Sequence, residues 1–365
     1  MALSGWDKYI PAVFDHTKVD SDVTDFPALF YLSASSGIGN EDITCVFDEV
    51  GANWQKIALA NNVDAETYVE KVSWDEVGKT AELHGLVSLS SAGDTTYKLW
   101  YDNDHADNTT YVKDQGDATS VWDSDFRFVA HMNDLTTSSI EDSTSNSLDF
   151  TKKGANEPIE TSSGQIGEAQ DFDGTDDYAY QANNIITATS FTVEGWAKMD
   201  GAGGGSNNNN VMFQQNDADS ADNKCLVRLS IDDYGNHQIR VRSSNGITQN
   251  VEDTKEDNGA FHHYCGVVSA SNITLYVDGV SVGTPVANNQ SGDYTTSIDY
   301  RDIGRSRYSG GNIGFMNGAI DEVRVSNTDR SAAWIKATYN SGNDSLITFG
   351  SEEEGSAFIP LIIMF

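Results

Sequence analysis

Residues 317–339 read NGAIDEVRVSNTDRSAAWIKATY, and this stretch decides how the rest of the chain is interpreted. Ile320, Val323 and Val325 are interleaved with charged residues, which predicts a strand that leaves a turn at Asn317-Gly318. Ser331 then provides an N-cap, and apolar residues four apart over 334–339 predict a short helix with one apolar stripe. A helix of this length is not stable alone, so it must lie on a sheet.

The chain before this stretch contains short strands separated by turns. In residues 1–118 we expect strands at 9–14, 26–32, 68–72, 79–89 and 96–101. In residues 119–350 we expect strands at 126–132 and 191–199, and hairpins at 227–241 and 273–282. The second hairpin turns at Asp278-Gly279, and Gly195 predicts an irregularity within the strand 191–199. The pattern is all-β, with two sandwich domains and no long helix.

Two families resemble parts of this sequence. Ala319–Arg324 with the helix after it, and the run GEAQDFDG at 167–174, resemble a laminin-G-like module of the concanavalin A-like lectin/glucanase jelly rolls. The runs at 15–49 and 98–112 resemble the uncharacterised β-sandwich domain that precedes such modules in microbial surface proteins and phage virion proteins. The resemblance implies an N-terminal β-sandwich over 1–118 and a laminin-G-like jelly roll over 119–350.

The composition is strongly acidic, with 22 basic and 56 acidic side chains and a formal net charge of −34. Such a field repels phosphate backbones and anionic lipids, so we expect neither a nucleic-acid partner nor a membrane-surface role. No apolar run approaches the roughly 20 residues that a membrane-spanning helix needs, so no membrane insertion is expected. Cys225 and Cys265 could pair, but buried free thiols are the favoured interpretation.

Residues 351–365 predict an acidic linker followed by an apolar docking tail. Left in water, the apolar run would promote aggregation, so it needs a partner surface. It either folds back on its own domain or docks on a neighbouring subunit, by adding a strand or filling a groove. Docking implies a homo-oligomer or another surface assembly, and the residues assigned to it are Phe358, Ile359, Leu361, Ile362, Ile363 and Phe365.

Motifs for catalysis are absent from the sequence. Jelly-roll relatives that cleave glycans carry a Glu-x-Asp core, which places two carboxylates on one strand face, and no Glu-x-Asp occurs here. There is no HExxH motif, and the one Gly-x-Ser-x-Gly match, GVSVG at 279–283, lies in the predicted hairpin and not at the strand-to-helix turn that a nucleophile elbow needs. We therefore expect a non-catalytic protein, and a divergent glycoside hydrolase is the less favoured alternative.

Calcium is the one cofactor that the sequence makes credible, as a structural ion. Loops rich in Asp, Asn and Gly supply the oxygen ligands that Ca²⁺ prefers. By resemblance to concanavalin A-like modules, Asp321 near the final strand is the best candidate ligand, and Asp173 in the Phe-Asp-Gly turn is a weaker one. The alternative for Asp321 is a hydrogen-bonded strand carboxylate.

Glycan binding is the most specific functional hypothesis. It requires exposed aromatic side chains beside polar groups, and arginines stand out in so acidic a chain. The candidate residues are Tyr234, Tyr300, Arg301, Arg305 and Tyr308, with Tyr294 and Arg307 as further candidates near them. The alternative is that these residues belong to an ordinary strand and its core.

The sequence favours a structural or adhesive surface protein, and specifically a virion component such as a capsid decoration, tail or fibre protein. This rests on the family resemblance, the apolar tail and an N-terminus without the regions of a signal peptide. The expected location is the virion surface or another extracellular site. The alternative is a secreted or cell-surface lectin-like adhesin.

Overall fold

The computed structural model describes residues 3, 5–205, 209–217, 225–232, 235–244, 246, 248–254, 259–308 and 311–355. Strands form most of its regular structure, which confirms the all-β prediction. The chain divides into two compact units: unit 1 holds the described residues of Met1–Val121 and Asn340–Phe365, and unit 2 those of Trp122–Tyr339. No helix in the described part of the chain has the length and apolar character needed to cross a bilayer.

Unit 1 is a sandwich of two sheets. Its strands are β1 (Lys8–Phe14), β2 (Val23–Leu32), β3 (Ile57–Asn61), β4 (Glu66–Thr67), β5 (Val69–Asp75), β6 (Thr80–Leu89), β7 (Thr95–Tyr101), β8 (Val112–Asp114), β26 (Ile347–Phe349) and β27 (Glu353–Glu354). One sheet has the order β26-β1-β7-β3-β4 with β27 also on β1, and the other has the order β2-β6-β5-β8. A short helix, α1 (Cys45–Val50), and a 3-10 turn (His16–Lys18) connect strands.

The core of unit 1 lies between these sheets. Ile10, Ala12 and Phe14 are buried at alternate positions of β1, as a period of two requires. The Phe14 ring meets Phe30 of the other sheet edge-on, with ring centroids 5.7 Å apart. The structure thus confirms the strand predicted at 9–14 and shows that its core face is formed by Ile10, Ala12 and Phe14.

The domain boundaries differ from the sequence-based prediction at the end of the chain. We expected the jelly roll to continue to residue 350 and residues 351–355 to be a linker. In the structure the chain returns to unit 1, where β26 and β27 both pair antiparallel with β1. The Tyr9 and Tyr101 hydroxyls donate to Glu353 and Glu352, which fixes this acidic segment. The six residues assigned to docking fall within 358–365 and lie outside the described residues.

Unit 2 is a larger two-layer sandwich. Its strands are β9 (Phe126–Ala130), β10 (Thr151–Lys152), β11 (Ile159–Thr161), β12 (Ala169–Asp173), β13 (Ala179–Tyr180), β14 (Phe191–Met199), β15 (Asn210–Asn216), β16 (Leu226–Ile231), β17 (His237–Arg242), β18 (Gln249–Asp253), β19 (His262–Val268), β20 (Asn272–Val277), β21 (Val280–Ala287), β22 (Tyr300–Ile303), β23 (Arg305–Tyr308), β24 (Gly311–Phe315) and β25 (Asn317–Ser326). A second 3-10 turn (Gly154–Asn156) and α2 (Ala332–Gly342) complete the elements.

Two large antiparallel sheets form the layers of unit 2. A seven-stranded sheet has the order β10-β13-β22-β15-β16-β17-β18, and an eight-stranded sheet has the order β11-β12-β25-β14-β19-β20-β21 with β9 on β25. The core between them includes Leu229 and Ile239 from the first sheet and Val193, Ile320 and Leu275 from the second. Burying each such side chain contributes about 1.5–3 kcal/mol. The hairpin of β23 and β24 is a separate two-stranded sheet.

The stretch 317–339 folds as the sequence predicts. β25 begins at the turn, where Gly318 has φ +132°. The Ser331 hydroxyl accepts a hydrogen bond from the backbone N–H of Trp334 at 3.2 Å, which caps α2. Ile335 packs with Cys265 and Val267 of β19, so the helix lies on the eight-stranded sheet.

The predicted irregularities are also present. The register of β14 against β25 shifts between Glu194 and Trp196, around Gly195. Asp278 and Gly279 both have positive φ, +53° and +75°, as a type I′ hairpin turn requires. Cys225 and Cys265 are both buried free thiols.

Candidate functional site

A pocket of about 290 Å³ opens on the outer face of the seven-stranded sheet, beside β13 and β22. Ala179 and Ile303 of these strands point into the core, so Tyr180 and Asp302, next to them in sequence, point outward. We call this site the arginine pocket. It is lined by Lys153, Tyr178, Tyr180, Gln181, Asp299, Tyr300, Arg301, Asp302, Arg305 and Arg307.

Gly304 connects β22 to β23 and thereby positions two of the arginines. Its φ is +83°, in the left-handed region that disfavours a side chain. A Cβ at this position would lie 2.2 Å from the Phe172 ring, which is buried in the core. Only glycine therefore fits where the chain leaves the sheet and brings Arg305 and Arg307 to the pocket.

Two guanidinium groups stack on tyrosine rings at the pocket. The Arg305 guanidinium lies 3.2 Å from the ring centroid of Tyr178, and that of Arg307 lies 3.7 Å from the centroid of Tyr300. Each such contact is worth about 0.5–2 kcal/mol, depending on its exposure to water. Stacking uses the faces of the guanidinium groups and leaves their N–H edges able to donate hydrogen bonds.

Arg305 is also fixed by a buried ion pair. Its Nη2 lies 2.6 Å from Oδ1 of Asp302, and the two side chains are 4% and 1% exposed. Burial raises the pKa of Asp302 above its ordinary value, although Arg305 acts in the opposite direction. The pair holds Arg305 in place and neutralises its charge.

Arg301, by contrast, is held by neutral acceptors. Its Nε donates to Oδ1 of Asn184 at 2.9 Å, and its Nη2 donates to the carbonyl of Ile298 at 2.9 Å. Burial lowers the pKa of Arg301, which nearby Asp299 and Asp302 partly oppose. No carboxylate forms a direct ion pair with Arg301 among the residues that the structure describes.

Side chains of the sheet hold the hairpin that carries Arg307. The amide of Asn216 donates to the backbone carbonyl of Arg307 at 3.0 Å, and the amide of Gln214 donates to the same carbonyl at 3.4 Å. Arg228 donates from Nη1 to the Ser306 hydroxyl at 3.3 Å. These bonds connect β15 and β16 to β23, so the pocket arginines rest on a supported strand.

The structure brings three of the sequence-predicted glycan residues together. Tyr300, Arg301 and Arg305 all line the arginine pocket. Tyr308 ends β23, and its side chain is outside the described part of the structure, as is the whole of Tyr234. Tyr294 is only 1% exposed and packs edge-on against Phe191, so its candidacy as an exposed platform was wrong.

Sequence reasoning missed the other side of the pocket, namely Lys153, Tyr178, Tyr180 and Gln181. They come from the segment around β10 and β13, more than 110 residues before β22 in the chain. The signal that could have found them is the alternation of tyrosines at 178 and 180 around Ala179. Their placement depends on the pairing of Ala179 with Ile303, which the sequence pattern does not reveal.

The two predicted calcium ligands lie in different surroundings. Asp173 ends β12, and its carboxylate lies within 4.8 Å of those of Asp176 and Asp177. Burial, together with repulsion from Asp173 and Asp176, raises the pKa of Asp177 to about 6. This donor set fits a hard cation because a divalent ion would relieve the repulsion between the carboxylates.

Asp321 is fully buried on β25 and is separated from that cluster. Asp173 pairs with Asn317 in the sheet, four residues before Asp321. Asp321 Oδ2 accepts a hydrogen bond from the backbone N–H of Ile166 at 2.9 Å. Its geometry fits the hydrogen-bonded strand carboxylate that the sequence left as the alternative.

Comparisons with known proteins agree with this architecture. Residues 173–336 match the family model of the concanavalin A-like lectin/glucanases superfamily, which confirms the resemblance in this part of the chain. The matched region contains the whole arginine pocket except Lys153. No curated protein matches the chain.

Solved structures with a similar fold include carbohydrate-binding modules. One is domain 4 of AbnA, a GH43 extracellular arabinanase from Geobacillus stearothermophilus, in complex with arabinotriose. It is 17% identical to this chain, the match covers 58% of this chain and 96% of that chain, and the TM-score is 0.46. The CBM40 of the Ruminococcus gnavus IT-sialidase bound to alpha2,3 sialyllactose is 11% identical, with 42% and 83% covered and a TM-score of 0.35.

Proposed function

We propose that unit 2, a jelly roll of the concanavalin A-like kind, is a carbohydrate-binding module and that the arginine pocket is its ligand site. The observation that carries this proposal is the composition of the pocket. Tyr180, which is 44% exposed, offers a ring face beside Gln181 and the arginines, which offer hydrogen-bond donors. Sugars present apolar C–H faces and polar edges, so they suit a pocket of this kind.

The same pocket supports a non-catalytic function. Glycoside hydrolysis by the usual route needs two carboxyl groups that flank the scissile bond, one of them able to donate a proton. The pocket is lined by two carboxylates, Asp299 and Asp302. Asp302 is buried, with Oδ1 paired with Arg305 and Oδ2 accepting a hydrogen bond from Gln214, so both of its oxygens have partners within the protein.

A glycan array tests the proposed site. Wild-type protein is compared with Tyr180→Ala, which removes the exposed ring, and with Tyr68→Ala, a matched control because Tyr68 is a similarly exposed tyrosine of unit 1. We expect Tyr180→Ala to lose the glycans that the wild type and the control both retain. Equal retention by all three proteins would place binding elsewhere and overturn the proposal.

At the level of the whole chain, we propose a structural or adhesive surface protein, with a virion component as the specific form and a secreted lectin-like adhesin as the alternative. The acidic composition and the apolar run at 357–365 support a subunit that docks on other subunits through its tail. Mass spectrometry of purified particles and of culture supernatant separates the two forms. Deleting residues 356–365 should reduce the oligomer size in light scattering, and an unchanged size would remove the docking role.

A further inference from the structure

The charges of the arginine pocket contrast with those of the chain as a whole. The protein carries a net charge of −34, yet four cations line this pocket against two carboxylates, an excess of two positive charges. Asp302 neutralises Arg305, as described above. An excess of cations in one small pocket of a strongly acidic protein lowers the free energy of a bound anion there.

Three of the four cations lie outside the buried ion pair of Arg305 and Asp302. Arg301 donates only to neutral oxygens, of Asn184 and Ile298. Arg307 stacks on Tyr300, and Lys153 lies 6.0 Å from the ring centroid of Tyr178. Neither Arg307 nor Lys153 forms a salt bridge within the part of the chain that the structure describes. Their N–H groups remain able to bind an anionic group of a ligand.

We propose that the arginine pocket recognises a sugar residue that carries an anionic group, a carboxylate or a sulfate, with Arg307 as the principal contact. This inference rests on the proposed function, since it names the ligand class for the same pocket. Arginine binds planar or tetrahedral oxyanions with paired N–H donors, which suits both groups. A pocket of about 290 Å³ is at the lower end for small-molecule sites, so it takes one charged residue and not a long polyanion. The net charge of −34 on the whole chain repels polyanions such as nucleic acids.

Three disaccharides that differ in the group at C6 provide the probes. α-1,4-Linked digalacturonate and digalactose differ only in the carboxylate at C6, and 6-O-sulfated digalactose replaces that carboxylate with a sulfate ester. Titration calorimetry of the full chain should give at least tenfold tighter binding of one or both charged sugars than of digalactose. The charged sugar that binds more tightly shows whether the recognised group is a carboxylate or a sulfate. Raising the salt concentration should weaken the binding of the charged sugars and leave the binding of digalactose unchanged.

Variants assign the preference to the pocket. Arg307→Gln should reduce the charged-to-neutral affinity ratio about tenfold, because hydrogen bonds to charged groups are the stronger ones. Lys198→Gln is the matched control, since Lys198 is a partly exposed cation of unit 2 paired with Asp200 and outside the pocket. Unchanged thermal unfolding of Arg307→Gln would show that the variant is folded.

The outcomes separate the two proposals. If digalactose and the charged sugars bind equally and Tyr180→Ala abolishes all binding, the pocket binds glycans but the anionic preference is wrong. If charged sugars are preferred equally by the wild type and Arg307→Gln, the role of Arg307 is overturned. If Tyr180→Ala changes no binding, both the inference and the proposed site fail.

Discussion

Substitution of Gly304 by alanine connects the fold of unit 2 directly to its pocket. The change adds a Cβ to a residue with φ +83°, a conformation that costs a residue with a side chain roughly 1–2 kcal/mol. The added atom would lie 2.2 Å from the buried Phe172 ring, and overpacking of this kind costs about 1–3 kcal/mol. Gly304→Ala should therefore destabilise unit 2 by roughly 2–5 kcal/mol.

Gly235 provides the matched control because it has nearly the same conformation without the contact. Its φ is +81°, and apart from its chain neighbours no atom of the described residues lies within 4 Å of a Cβ built there. Gly235→Ala should cost only the backbone contribution of about 1–2 kcal/mol. The difference between the two variants isolates the clash with Phe172.

Urea unfolding of both variants, followed by tryptophan fluorescence, measures these costs. Because the chain has two units, the transition that shifts should be the one assigned to unit 2. Sugar binding by Gly304→Ala, measured where the protein is still folded, should also weaken, because the junction that positions Arg305 and Arg307 must move. Equal destabilisation by the two substitutions, or full binding by Gly304→Ala, would refute this account of the junction.

Two further predictions concern acidic groups. Burial raises the pKa of Asp134 to about 6, so its ionised form opposes folding above that pH and the wild type gains stability as the pH falls from about 6 to about 4. Asp134→Asn should thus stabilise the protein at pH 7 by up to about 3 kcal/mol and have little effect at pH 4. Unfolding midpoints of the wild type and the variant at both pH values measure this. Destabilisation by the substitution at pH 7 would contradict the prediction. For the carboxylates of Asp173, Asp176 and Asp177, millimolar Ca²⁺ should raise the melting temperature relative to EDTA, whereas equal temperatures would remove the calcium prediction.

Features fixed by neighbouring residues could be predicted from the sequence. The cap at Ser331, the turn at Asp278-Gly279 and the irregularity at Gly195 each depend on a few adjacent side chains and on the φ that they allow. Local apolar patterns also located strands such as β7, β9 and β14, whereas β3 and β15 were not predicted. The all-β class follows from these local signals.

Features fixed by distant pairing could not be predicted in the same way. The pairing of β26 and β27 with β1 joins segments more than 330 residues apart. The sequence therefore predicted that the jelly roll ends at residue 350, whereas unit 2 ends at Tyr339. For the same reason it found Tyr300, Arg301 and Arg305, which lie close together on β22 and β23, but missed Tyr180 on the neighbouring strand β13 and Tyr178 just before it. Nothing local specifies which strands become neighbours in a sheet.

A crystal structure of the full chain soaked with digalacturonate tests the central claim most directly. The account predicts that the sugar lies in the arginine pocket, with its carboxylate on Arg307 and its ring against Tyr180. A sugar bound at any other surface, or an empty pocket in crystals of a protein that binds digalacturonate in solution, would contradict it.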